Sequence, residues 1–388
     1  MRSRVATRRS QRPCRSWPTA WIPATCPGPI SLSTITHVSA PIPITVEELA
    51  SGAARLDLGV TGRPTVTLLT VDLDSCTALP DDVLERAIAV LALPHTPAIG
   101  TTERPLSQTA TRLAQALDLT LTNHNQDGSS DPWVIQVDDP IATLDKLAAN
   151  MAPRPVTSAV LCQTLRVTSR LPVPDGLVVE SMAYSMLLAS SEFRGWRNAR
   201  PRRSPPTPLD PVRLERADDT LTIVLDHPAR RNAYSRAIRD GLVEGLELAA
   251  WDPSIEMIHL RGEGPTFCSG GDLDEFGTID DVSAAHFIRL RQGAGAAVHF
   301  IRDRVTAHLH GQCIGAGIEI PAFAGRVMAR PHTTCRLPEL AMGLIPGAGG
   351  TVSITKRIGR WRTAYLALSG EPIATDTALV WGLIDAVE

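Results

Sequence analysis

An α/β fold is predicted for this chain on three observations. Apolar runs of strand length alternate with segments of helical spacing, Gly-rich loops follow several strands, and the repeated strand–helix–strand order calls for parallel pairing through right-handed crossovers. The chain has 388 residues, 43% hydrophobic and 20% charged, with a net charge of -3. This length allows two or three domains with large cores. The balance excludes wholesale disorder and leaves no electrostatic case for nucleic-acid binding. No apolar run reaches the ~18 residues that a membrane span needs. The cysteines at 14, 26, 76, 162, 268, 313 and 335 are scattered without a CxxC. That pattern argues against a disulfide framework or zinc knuckle and for a reducing compartment. Of the 38 basic residues only Lys146 and Lys356 are lysines. Such a bias is what GC-rich coding leaves, and a bacterial, cytoplasmic protein is expected.

Residues 1–46 hold no Asp or Glu, six arginines before position 16 and prolines at 13, 18, 23, 27 and 29. Acid-free, Arg-rich sequence also describes a transit peptide, but those prolines interrupt an amphipathic helix. A disordered extension, or a start codon set too early, is expected. RPRRSPPTPLDP (200–211) reads as a proline-rich linker. The predicted organisation is therefore an extension at 1–46, an α/β and helical domain at 47–203, a linker at 204–211 and a second domain at 212–388.

In the first domain VTLLTVD (66–72) reads as a buried strand, followed by a helix over 80–93 with Pro80–Asp81 at its start. A strand at 97–100, a helix over 105–117 and a strand at 117–122 come next. A helical stretch covers 140–151, and 156–197 reads as two helices broken by a Pro172–Pro174–Gly176 turn. In the second domain VRLERADDTLTIVLD (212–226) predicts a hairpin. A helix over 235–250, capped by Ser235 or Asn232, leads to a strand at 256–261 and a Gly-rich loop at 262–271. A helix over 281–303 and a strand at 305–311 complete the readable pattern.

Three segments carry chemistry. Phe267-Cys268-Ser269-Gly270-Gly271-Asp272-Leu273 leaves a strand through a tight loop. His310-Gly311-Gln312-Cys313-Ile314-Gly315-Ala316-Gly317-Ile318-Glu319 leaves another strand and opens a helix. Leu337 to Gly350 forms the third. Gly-rich loops expose backbone N–H groups, and two that converge can hold a carbonyl oxygen as it becomes negative, which is an oxyanion hole. A helix start adds dipolar stabilisation. Glu319 and Glu339, on separate elements, can divide general base from general acid. Cys268 and Cys313 read as packed thiols, since no histidine is spaced to activate them. His308 and His310 share one strand face and read as structural, for want of further metal ligands. No metal site is expected.

Residues 212–388 resemble the crotonase (enoyl-CoA hydratase/isomerase) superfamily, through DHPARRNAYS (226–235), FCSGGDL, HLHGQCIGAGIE, LPELAMGLIPGAGGT and IGRWRTAYLALSGEPIATDTALVWGLIDAVE. The resemblance implies a spiral of ββα turns acting on an acyl-coenzyme A thioester. It implies an oxyanion hole from the N–H groups of Ser269 and Ala316, with Glu319 orienting water as base and Glu339 donating the proton. Substrate or coenzyme contacts fall on Arg230, Arg231, Ala233, Phe267, Gly270, Asp272, Leu273, Gly315, Pro346 and Gly347. Coenzyme A belongs to the substrate, so no separate cofactor is expected. A homo-oligomer, a trimer or dimer of trimers, is implied as well. Ser269 stands where alanine is commonest, and Ala316 replaces a glycine. The leading activity is hydration of a 2-enoyl-CoA; isomerase, dehalogenase, hydrolase or C–C lyase chemistry on the same fold, or a non-catalytic assembly subunit, are the alternatives. The family's closing helices are expected after position 388, whereas 156–203 is similar to them. Residues 62–203 are similar in outline to a degenerate second unit without a working oxyanion hole. These helices are expected to dock on the 212–388 core, within the chain or by exchange between subunits, the N-terminal half supplying structure and the C-terminal half chemistry.

Overall fold

The computed structural model of the chain describes residues 41–76, 79–124, 131–201, 203 and 210–388. Most of the expected 1–46 extension and of the 204–211 linker lies outside the described residues. Residues 41–46, read as the end of that extension, are instead ordered. Strand β1 (Ile42–Pro43) pairs in parallel with β2 (Leu69–Asp72), and Thr45 begins helix α1 (Val46–Ser51) with a reciprocal capping box to Glu48. The proline-rich composition hid this start because the apolar Val46 and Leu49 that anchor it come only after the last proline.

The chain continues through α2 (Asp81–Leu91), β3 (Ala98–Thr102), α3 (Gln108–Ala116), β4 (Leu119–Thr122) and β5 (Val134–Gln136). Strand β5, only three residues long, lies where the sequence predicts none. The five strands form one parallel sheet in the order β1-β2-β3-β4-β5. Alternate side chains enter two cores. Leu69, Val71 and Ala98 pack with the helices of the N-terminal layer, while Leu68, Ile99, Leu119 and Leu121 face a second, larger core. Burial on both faces is why the strands read as nearly continuous apolar runs.

Helices α4 (Pro140–Met151), α5 (Pro155–Thr168), α6 (Val173–Leu188) and α7 (Ser191–Asn198) follow. Three helices occupy 155–198 where two were expected, because Ser190 starts α7 by accepting from the Phe193 N–H at 3.1 Å. Pro172 and Pro174 open α6 rather than making a turn, and Gly176 lies inside its first turns against Val352.

The hairpin β6 (Val212–Ala217) and β7 (Thr220–Leu225) is as expected. After it come α8 (Arg236–Trp251), β8 (Met257–Gly262), α9 (Val282–Arg291) and α10 (Ala294–Phe300). The expected single helix over 281–303 is split at Gln292–Gly293, where a side chain on residue 293 would strike the Arg289 carbonyl. Strands β9 (Val305–Leu309) and β10 (Gln312–Ile314), helix α11 (Ala316–Glu319), β11 (Arg326–Ala329), β12 (Thr334–Arg336), α12 (Gly350–Ser369), β13 (Ile373–Ala374), α13 (Thr375–Trp381) and β14 (Ala386–Val387) complete the chain. A six-stranded sheet runs β14-β11-β9-β8-β7-β6 and a small sheet β10-β12-β13.

Helices α5 and α6 pack on α12, so the N-terminal helices cover the C-terminal core within one chain. Thr168 Oγ1 donates to the Thr351 carbonyl at 2.7 Å, and Asn150 Nδ2 to the Ser369 carbonyl at 2.9 Å. The larger core is continuous from Leu68 to Ile384. Among the described residues, no helix is long and apolar enough to cross a membrane.

Candidate active site

Two loops meet backbone to backbone. The loop after β8 is held by buried Asn232, whose Nδ2 donates to the carbonyls of Glu263, Thr266 and Phe267 and whose Oδ1 accepts from the His227 N–H. Asn232 is thus a loop brace, and Ser235 is the cap of α8. The loop between β10 and α11 lies alongside, with the Ile314 N–H donating to the Cys268 carbonyl at 3.0 Å. Gly315 turns there with φ 50°, and a side chain on Gly317 would collide with the Cys268 carbonyl. Only glycine permits that approach.

Beside these loops is a cavity of about 620 Å3 whose wall includes Gly271, Ala316, Glu319 and Glu339. Glu319, at the end of α11, is buried, and its Oε2 accepts from the Ala348 N–H at 2.8 Å and the Gly350 N–H at 2.9 Å. Burial pushes its carboxyl up to about 7, against the pull of those two amides. Glu339 sits in a short 3-10 turn, and among the described residues its Oε2 has no hydrogen-bond partner. Burial, then the neighbouring Glu319 charge, holds Glu339 well above the usual carboxylate range. A Cβ on Gly315 would fall 2.5 Å from Glu339 Oε1 and 3.6 Å from Glu319 Oε1, so the two carboxyls flank the glycine turn.

The first oxyanion donor, expected at Ser269, falls instead to Gly271. The Ser269 N–H already donates to the Arg231 carbonyl at 3.0 Å, and Ser269 is not part of the cavity wall. Gly271 is, and no acceptor is found for its N–H or for that of Ala316 among the described residues. A side chain on Gly271 would lie 2.6 Å from the Phe276 ring, so the bare backbone is required there. The tight turn through Gly270, φ 90°, carries the chain two residues further before it reaches the cavity wall at Gly271.

Of the expected contact residues, Asp272 and Gly347 line the cavity. Arg230 and Arg231 do not: Arg230 is committed to Asp272 and Asp274 at 2.7 and 2.9 Å, and Arg231 turns the chain at φ 53°. Ala233 lies outside the wall, and Phe267 and Leu273 belong to the core. Gly270 and Gly315 shape the two loops, and buried Pro346 supports Gly350 from behind. Cys268 is buried and its thiol is pushed up to about 12, consistent with packing rather than nucleophilic use. His308 bonds His259 and Glu388, and His310 bonds the Gly264 carbonyl. No group of potential metal ligands occurs among the described residues.

The N-terminal half also supplies side chains to the site, which its sequence does not predict. Glu180 and Tyr184 of α6 line the same cavity, as do Tyr234 and Arg289. Arg289 stacks over the Tyr184 ring at 4.8 Å and bonds Ser181, tying α9 to α6. The LPVPDGLVVE segment pointed to a closing helix, but not to a side chain aimed inward.

The enoyl-CoA hydratase/isomerase family profile matches residues 215–388. The chain is 33% identical over 174 residues to the 2,3-dehydroadipyl-CoA hydratase of Escherichia coli, covering 45% of this chain and 68% of that protein. It is 30% identical over 188 residues to the enoyl-CoA isomerase/hydratase fer4 of Mycosarcoma maydis, covering 46% and 69%. An enoyl-CoA hydratase structure from Thermoplasma volcanium superposes with a TM-score of 0.43 at 30% identity, over 46% of this chain and 71% of the other. The chain therefore spans about two thirds of these relatives' length. It belongs to the enoyl-CoA hydratase/isomerase family, with a crotonase-like α/β core, and is an enzyme of the crotonase type.

Proposed function

We propose that the protein hydrates a 2-enoyl-CoA. The observation that carries the reading is the buried Glu319–Glu339 pair flanking the Gly315 turn in a cavity whose wall also includes Gly271 and Ala316, two residues whose N–H groups meet no acceptor among the described residues. Those two N–H groups would donate to the thioester oxygen as it gains charge; loss of one such donor typically costs about 10²–10³ in rate. Polarisation makes Cβ electrophilic. Glu319, fixed by two amides, takes a proton from water as the water oxygen bonds to Cβ, and the C=C pair becomes an enolate. Glu339, protonated because it is buried beside Glu319, delivers its proton to Cα. The product is the 3-hydroxyacyl-CoA, and one proton passing from Glu319 to Glu339 restores the pair.

Isomerisation is the second reading, favoured by the double name of the Mycosarcoma maydis relative; the same carboxyls would move a proton between Cα and Cγ without adding water. We further read 47–203 as a shortened crotonase-like unit, and the assembly as a homo-oligomer. Incubation with crotonyl-CoA in 18O-water tests the activity. Labelled 3-hydroxybutyryl-CoA is expected, and recovery of crotonyl-CoA or its but-3-enoyl isomer with no label and no hydration would overturn it.

A further inference from the structure

The N-terminus of α12 presents four successive amides, Ala348 to Thr351, to two carboxylates in alternation. Glu319 takes those of Ala348 and Gly350. Glu180 takes those of Gly349 at 2.8 Å and Thr351 at 2.9 Å, and also accepts from Thr351 Oγ1 at 2.7 Å. Helix α12 has no side-chain cap of its own, since its N-cap is Gly349. Three of these amides, Gly349 to Thr351, are orphan donors at the start of a helical run that begins at Gly350 and is interrupted at Gly359, and they carry its positive dipole end. Glu180 is buried, lines the cavity and comes from α6, far from the other site residues in sequence.

We propose that Glu180 is a positioning residue for the Glu319–Glu339 pair: by fixing Gly349 and Thr351 it sets the angle at which Ala348 and Gly350 hold Glu319. The N-terminal half then completes the working site instead of only covering it. This rests on the acid–base reading of the pair given above. The charged and titratable groups facing Glu180 are Glu319, Glu339, Arg289 and, on its own helix, Tyr184. Glu319 and Glu339 oppose its charge, and Arg289 favours it. Neutralising Glu180 therefore removes one of the charges that oppose ionisation of Glu339.

The test uses the full chain. Glu180→Gln keeps the shape but cannot accept at both ends, and kcat for crotonyl-CoA hydration is expected to fall about 10-fold or more, the lower end of what misplaced catalytic geometry costs. Binding of a saturated acyl-CoA should change less than about threefold, and the same substitution in a Glu319→Gln background should cost nothing further. An equal loss in both backgrounds, or wild-type kcat in the single variant, overturns the proposal. If Glu180→Gln fails to fold, Thr351→Val removes only the hydroxyl donor and is expected to give a smaller loss of kcat confined to the Glu319 background; no loss overturns the proposal. A 13C-carboxyl NMR titration needs no turnover. Glu339 should titrate at lower pH in Glu180→Gln, and an unmoved titration counts against the proposal even if the wild type proves not to be a hydratase. Absence of hydration with a moved titration would sink the functional reading alone.

Discussion

Glu319→Gln isolates proton transfer from shape. The glutamine amide oxygen can take the place of Oε2 and keep the Ala348 and Gly350 N–H bonds, while its NH2 occupies the position of Oε1. Each of those bonds changes from charge-assisted, about 1.5–3 kcal/mol, to neutral, about 0.5–1.5 kcal/mol. The substitution also removes a buried carboxyl whose ionisation burial opposes, which offsets part of that loss. The net stability change should stay within about 2 kcal/mol. The catalytic loss should be far larger: one general acid or base contributes roughly 10²–10⁴ in rate, or about 2.7–5.5 kcal/mol of barrier. The assay follows loss of the conjugated enoyl-thioester absorbance under saturating crotonyl-CoA, with acyl-CoA affinity and Tm measured on the same sample. Turnover within a few-fold of wild type in both Glu319→Gln and Glu339→Gln would refute the paired-carboxylate reasoning. Loss of folding with Glu319→Gln would show that its two amide bonds serve structure first.

Hydration that needs Glu319 ionised and Glu339 protonated should speed up as pH rises through about 7, where Glu319 loses its proton, and decline only where Glu339 ionises at higher pH; a kcat profile without that acidic limb contradicts the assignment. Stability should run the other way. Burial raises Glu180 from 4.5 to about 8 and Glu319 from 4.5 to about 7, so the native chain binds more protons than the unfolded one across that window, and the unfolding free energy should fall as pH rises through it. Denaturant midpoints that increase from about pH 5.5 to about pH 8.5 would contradict this sign. Gly347→Ala would drive its new methyl into the Tyr184 ring of α6, and an overpacking cost of about 1–3 kcal/mol should appear as a lowered Tm; an unchanged Tm means that α6 yields freely. A fragment of residues 205–388 loses Glu180 and uncovers the α12 face that α5 and α6 bury, so it should be poorly soluble and inactive; a soluble fragment with full activity would show the N-terminal half to be dispensable.

The sequence by itself determined the features that depend on local spacing or on long co-linear motifs. Strand periodicity and Gly-rich loops foretold the α/β class, Ser235 foretold the start of α8, and the Glu319 and Glu339 segments foretold two carboxyls that share a cavity. Short or locally silent elements escaped: β5 is three residues long, and the break at Gly293 shows only once the Arg289 carbonyl is in place. Tertiary structure alone decided which amide stays available beside the cavity, because the Ser269 N–H is consumed by the Arg231 carbonyl, a partner set by how the preceding turn folds back, while Gly271 lines the wall. It also decided that Arg230 pairs with Asp272 and Asp274. Glu180 was the least legible residue of all. A lone glutamate in a largely apolar helix shows no partner until α6 packs on α12, and only that docking turns its carboxylate onto amides about 170 positions away in the chain.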